Sequence, residues 1–220
     1  MSSRRRRKSK KQKMRRVQAY FARFIFLAIV VVAACLIFLG GKKVFTGIGS
    51  LLEKGSSSIS GNSIQISSGG VIKETTVEDF DTNVYDENDL NKLVEEEISS
   101  YNEKTGNDSA VKLSKLSIKG GKATLVMEYA SAEDYTAFNE ITLEVKDTTE
   151  GIPADVTSVE DKKLVRASEA GTISGTAVVL NADINVIAPK KIRFCSSNVE
   201  MIDSKTAKVT AGETDAVIIY

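Results

Sequence analysis

The apolar positions of this chain fall into three regimes. Residues 24–41 (FIFLAIVVVAACLIFLGG) contain no charge at all. Residues 55–70 (GSSSISGNSIQISSGG) hold seven Ser and four Gly, with isolated isoleucines between them. From 71 onward the apolar residues return in short runs that alternate or recur at helical spacing. At 1.5 Å per residue the first run covers about 27 Å, close to the roughly 30 Å hydrocarbon core of a bilayer. A lone segment in lipid must satisfy its own backbone, so the run predicts one transmembrane helix. Arg23 can snorkel and Tyr20 suits the headgroup level, which sets its limits at 20–43. The Ser/Gly-rich stretch predicts a flexible linker over 44–70, with Ile64 and Ile66 alternating as a short strand inside it.

The third regime predicts an α+β domain. A strand over 71–77 (VIKETTV) leads to Asp86 as an N-cap. Leu90, Leu93, Val94, Ile98 and Tyr101 then form one apolar stripe of a helix over 87–104, which Gly106 stops. Val111 and Leu113 are in one phase and Leu116 and Ile118 in the other, so a bulge is expected near Ser114. Gly120-Gly121 predicts a tight hairpin turn into a strand over 123–129. Ser131 caps a short helix whose Tyr135 and Phe138 face the core, and Ile141, Leu143 and Val145 alternate as the next strand. The order over 71–146 is β-α-β-β-α-β, the ferredoxin-like order. Residues 147–176 read either as a short helix capped by Ser158 or as a strand near Leu164. Residues 177–220 read as short strands separated by Asn, Asp, Ser, Pro and Gly. The five segments are thus 1–19, 20–43, 44–70, 71–146 and 147–220, the last two as one domain or two.

Charge adds a direction to this pattern. The chain has 30 basic and 29 acidic residues, but 13 of the basic ones and no acid lie in 1–43. Residues 44–220 therefore hold 17 basic against 29 acidic side chains, a net of −12. The excess of Lys and Arg before the span predicts a cytoplasmic N-terminus and an extracytoplasmic C-terminal domain. The basic tail 1–19 is then also placed to attract anionic lipid. The acidic domain argues against a nucleic-acid partner.

Two cysteines are present, Cys35 in the span and Cys195 in the domain, so the topology allows no disulfide between them. Val32-Ala33-Ala34-Cys35 has the form of a bacterial lipobox, which makes Cys35 the one candidate lipidation site. Leu36, Ile37, Phe38 and Leu39 continue the apolar run, which favours a retained span over cleavage. The chain contains no His, which removes Ser-His and Cys-His nucleophile pairs and His-containing zinc sites. The acidic group Glu78, Asp79, Asp81, Asp86, Glu87 and Asp89 lacks the Gly and Glu of an EF-hand loop and reads as helix capping and solvated loop. Cys195, within IRFCS, reads as a small core residue. No catalytic, cofactor-binding or metal-binding residue is expected, and no cofactor.

Several stretches resemble known proteins: Val77-Glu78-Asp79-Phe80, Tyr85-Asp86 to Leu90, Glu95 through Asn102, 129–139 (YASAEDYTAFN) and 191–209 (KIRFCSSNVEMIDSKTAKV). They look like uncharacterised lipoproteins and membrane-anchored envelope proteins of Gram-positive anaerobic bacteria. The resemblance implies an envelope location and assigns no activity. The expectation is a single-pass, membrane-anchored extracytoplasmic binding or structural module, not an enzyme, with the bilayer and a protein or cell-wall component as partners. The alternatives are a signalling or division-type component acting through its basic tail, and an extracytoplasmic hydrolase built on carboxylates.

Overall fold

The computed structural model describes residues 61–82 and 85–220. The expected transmembrane helix, the basic tail and Cys35 lie outside the described residues. The described part is α+β, mostly strands with two α-helices. In chain order these are β1 (Ser63–Ile66), β2 (Ile72–Asp79), α1 (Glu87–Thr105), β3 (Val111–Lys119), β4 (Lys122–Tyr129), α2 (Ala132–Asn139), β5 (Leu143–Asp147), β6 (Val156–Ser158), β7 (Leu164–Val165), β8 (Thr176–Leu180), β9 (Ile184–Ile187), β10 (Phe194–Cys195), β11 (Val199–Met201), β12 (Thr206–Val209) and β13 (Ala216–Ile219). Short 3-10 turns at Thr148–Glu150 and Ala167–Thr172 fill the segment between β5 and β8.

Local chemistry explains the helices and turns. The Asp86 carboxylate accepts from the backbone of Asn88 and Asp89 at 2.7 and 3.3 Å, which caps α1. Gly106 ends the helix at φ 69°, left-handed backbone that a side chain would strain. The hairpin between β3 and β4 turns on Gly120 and Gly121, both at positive φ. The register between these strands shifts between Leu113 and Lys115, so Ser114 is the bulge that keeps Leu113, Leu116 and Ile118 on one face.

Two sheets form. Sheet A has seven strands in the order β11-β12-β9-β1-β2-β4-β3, and sheet B has six in the order β5-β8-β13-β10-β6-β7. All pairings are antiparallel except β1 with β9. The strand order β2-β4-β3 is the split β-α-β arrangement that the ferredoxin-like order requires. The fourth strand departs from it: β5 pairs with β8 in sheet B, and β1 stands beside β2 in its place. One strand of sheet A thus lies inside the Ser/Gly-rich stretch, and the sheet draws others from both 71–146 and 147–220. The helix alternative at 158–166 does not form. Ser158 and Lys163 close a tight turn in which Lys162 takes φ 59°, and Leu164–Val165 is a strand.

Strand alternation sorts sheet A into two faces. Its inner face carries Val209, Ala207, Val186, Ile64, Ile66, Ile72, Met127, Tyr129 and Val111, all part of one core. Sheet B packs onto this core through Leu143, Val178, Leu180, Ala216 and Ile218, and α1 and α2 add Val94, Ala132 and Tyr135. The opposite face of sheet B buries Ala177, Val179, Val217 and Ile219 against Ile152, Val156, Val165, Ala170 and Ile173. β8 and β13 are therefore covered on both sides, which is why their sequences, TAVVL and AVII, are apolar runs rather than alternations. The outer face of β2, β4 and β3 is mostly polar, with Lys73, Thr75 and Asp79 on β2, Lys122, Thr124 and Glu128 on β4, and Lys112, Lys115, Ser117 and Lys119 on β3, around the apolar Val77 and a buried Val126.

Candidate functional site

The Glu74 carboxylate breaks the apolar pattern of the inner face beside its core. Glu74 lies between Ile64 on β1 and Met127 on β4. Its Oε2 accepts from the Tyr129 hydroxyl at 2.7 Å and its Oε1 from the Tyr135 hydroxyl at 3.4 Å. Tyr129 and Tyr135 are 1% and 2% exposed, so both phenols need an internal acceptor. Burial raises the Glu74 pKa above its ordinary value, and the hydrogen bonds from Tyr129 and Tyr135 oppose that rise without cancelling it. Burial and then the Glu74 charge push the Tyr129 phenol well up, and the same causes raise Tyr135.

Asn139 completes the group. Its Oδ1 lies 3.3 Å from the Tyr129 oxygen, and its buried Nδ2 has no hydrogen-bond partner. The single hydroxyl hydrogen of Tyr129 goes to Glu74 at the shorter distance.

The surroundings are aromatic. The Tyr129 ring meets Tyr135 and Phe138 edge-on with centroids 5.1 and 5.8 Å apart, and Phe138 meets Tyr101 at 5.5 Å. Tyr101 donates to Asp134 at 3.1 Å, and the other oxygen of Asp134 accepts from Ser131, the cap of α2. Burial and then the neighbouring Asp134 raise the Tyr101 pKa. These contacts join α1, β2, β4 and α2. Chemically the group can hold or release one proton on a half-buried carboxyl. Neither of two surface grooves includes Glu74 in its wall.

Those two surface grooves lie elsewhere. One, about 340 Å³, is lined by Glu144, Lys146, Glu150, Ile152, Val179 and Asp215, with Lys146 Nζ 2.6 Å from Glu144. The other, about 290 Å³, is lined by Ser99, Asn102, Glu103 and Asp108. The acidic group after β2 is dispersed in its bonding: Glu78 accepts from Asn62, Asp79 pairs with Lys122 at 2.7 Å, and Asp86 caps α1. No cluster of His, Cys, Asp or Glu fit to hold a metal occurs among the described residues. Cys195 is buried with its Sγ 3.5 Å from Met201 Sδ. Burial pushes its thiol up to about 11, so it is protonated at neutral pH and a poor nucleophile.

No protein-family model, curated protein or solved structure matches this chain. Among the described residues no helix is long and apolar enough to cross a membrane. The Glu74 group was not among the sites expected from sequence, since its phenols lie 55 and 61 residues further on. One signal was present: in VIKETTV the acid stands in phase with Ile72, on the side that the alternation assigns to the core.

Proposed function

We propose that the chain is a single-pass membrane protein whose folded part is an extracytoplasmic binding or structural module of a bacterial envelope. The observation that carries this reading is the charge split around the uncharged block 24–41, with 13 basic residues and no acid in 1–43 and a net of −12 after it. The Ser/Gly-rich stretch between block and domain suits a tether. The unit Gly49–Tyr220 contains both hydrophobic clusters, as a domain held only by a tether must. The resemblance read in 77–80, 85–90, 95–102, 129–139 and 191–209 to anchored envelope proteins agrees with this reading. In this reading the basic tail lies on anionic lipid at the cytoplasmic surface, Cys35 remains an unmodified thiol in the span, and the domain meets a protein or wall component outside. The binding role draws on the open outer face of sheet A, and the Glu74 group serves to hold that sheet to its helices.

Protease treatment of intact cells tests the topology. Loss of the epitope at 61–220 with retention of an N-terminal epitope is expected. Protection of the domain until the cells are broken overturns the reading. Intact mass of the mature chain gives Cys35 its own answer, with residues before Cys35 retained and no lipid mass added as the expected result.

A further inference from the structure

The domain is acidic overall, yet its lysines gather on one surface. In 61–220 there are 28 acidic and 16 basic side chains. Five of the lysines (Lys73, Lys112, Lys115, Lys119 and Lys122) project from the outer face of three adjacent strands, against only Glu128 and Asp79. Lys73 lies 4.0 Å from Glu128, and Lys122 2.7 Å from Asp79. Among the described residues, Lys112, Lys115 and Lys119 have no carboxylate within ion-pair distance. Thr75, Thr124 and Ser117 place hydroxyls between the two ends of this lysine field.

We propose that the outer face of β2, β4 and β3 binds a linear phosphate-bearing polymer that carries no bases. The charges are spread over a flat surface: Lys115 and Lys119 stand about 13 Å apart along β3, and Lys119 faces Lys122 across a gap of about 5 Å. A single phosphate reaches one or two of these ammonium groups, and an exposed pair is weak alone. A chain of phosphates engages several at once, so that each contact after the first is intramolecular. Lysine recognises phosphate as a point charge without needing a planar bidentate geometry, and this face holds no arginine. The absence of aromatic rings from these outward positions removes the stacking platform that single-stranded nucleic acid uses. A bilayer fits less well than a free polymer, because the chain enters at Asn62 beside Glu78, and Asp79, Asp81 and Asp86 follow at that end of the sheet. Lysines on the edge strand β3 also deter edge pairing, but Lys73 on β2 and Lys122 on β4 lie inside the sheet, where that role does not apply.

The inference rests on the binding role proposed above; the topology test and the present one fail separately. Long-chain inorganic polyphosphate is titrated into the unit 49–220, whose cores are internal to it. Binding is expected to weaken with salt, with a log–log slope of about −2 to −3 for three or four phosphate contacts. K112E/K115E/K119E should weaken it at least about tenfold, and K190E/K191E, away from the face, should leave it within about twofold. Matching unfolding temperatures establish that each variant folds. The proposal is overturned by absent wild-type binding, by a triple variant that binds as well as wild type, by tighter binding to oligo(dT), or by binding only to phosphatidylglycerol vesicles.

Discussion

The Tyr129 hydroxyl donates to Glu74 at 2.7 Å across the β2–β4 pair, so a carboxylate on the core side of sheet A is held by a phenol from the neighbouring strand. Desolvation makes the proton on Glu74 harder to remove in the folded chain than in the unfolded one. The stabilisation from binding that proton is complete below the ordinary value of 4.5 and is lost as pH rises through the higher folded value. Glu74→Gln keeps an acceptor for Tyr129 and removes the charge. Urea midpoints of wild type and E74Q should lie close together below pH 4.5 and separate above it, with E74Q gaining. Parallel curves from pH 4 to 8 would show that burial does not govern this carboxyl.

A backbone constraint lies at Gly175. A Cβ built there meets the Tyr220 carbonyl oxygen at 2.8 Å, and the Arg193 guanidinium, which donates to Ser174, occupies the same space. Gly175→Ala should cost about 1–3 kcal/mol, the usual range for overpacking. That corresponds to a loss of roughly 2–4 °C in Tm per kcal/mol for a domain of this size. Gly212, with nothing within 4 Å of its Cβ position, is the matched control, and G212A should leave Tm nearly unchanged.

Asn102 on α1 bonds both ways with Val111: its Nδ2 donates to the carbonyl at 3.0 Å and its Oδ1 accepts from the amide at 3.0 Å. It thereby ties the helix to the start of β3. Asn102→Ala leaves a buried amide and carbonyl without partners, at about 1–3 kcal/mol each. Amide exchange at Val111 should accelerate in N102A more than at Leu125, in the middle of the sheet. Uniform acceleration would mean that the bond is not local in its effect.

Cys195 should react slowly in the native state. In a Cys35→Ala background, an aromatic disulfide reagent at pH 8 should label it only after urea is added, since burial holds the thiol at about 11. Rapid native labelling would place the sulfur in reach of solvent.

Local structure was legible where one or two residues decide it. Asp86 and Gly106 bound α1, Gly120-Gly121 turn the hairpin, and the phase slip at Ser114 marks the bulge, because each acts on the backbone beside it. Partners were less legible. The alternation of Leu143 and Val145 identifies β5 as a strand but does not say that Leu180 and Val178 will be opposite. Residues 158–166 carry helix-compatible spacing, yet Lys162 at φ 59° closes a turn there, as tertiary pairing of β6 with β7 outweighs local preference. The Glu74 group assembles from β2, β4 and α2, so no window of sequence contains it.

β1 has four residues and sits between β2, which follows it closely, and β9, whose Asn185 and Val186 pair with Ser63 and Ile64. The seven-stranded sheet therefore cannot close until nearly the whole chain has been made. Until then β1 offers an open edge, and contacts of such long sequence separation form slowly. A nascent or truncated chain ending before β9 would expose Ile64 and Ile66 on a bare strand, the condition under which edge-to-edge aggregation begins. Timing of synthesis, rather than stability of the finished sheet, is the point at which this fold is most vulnerable.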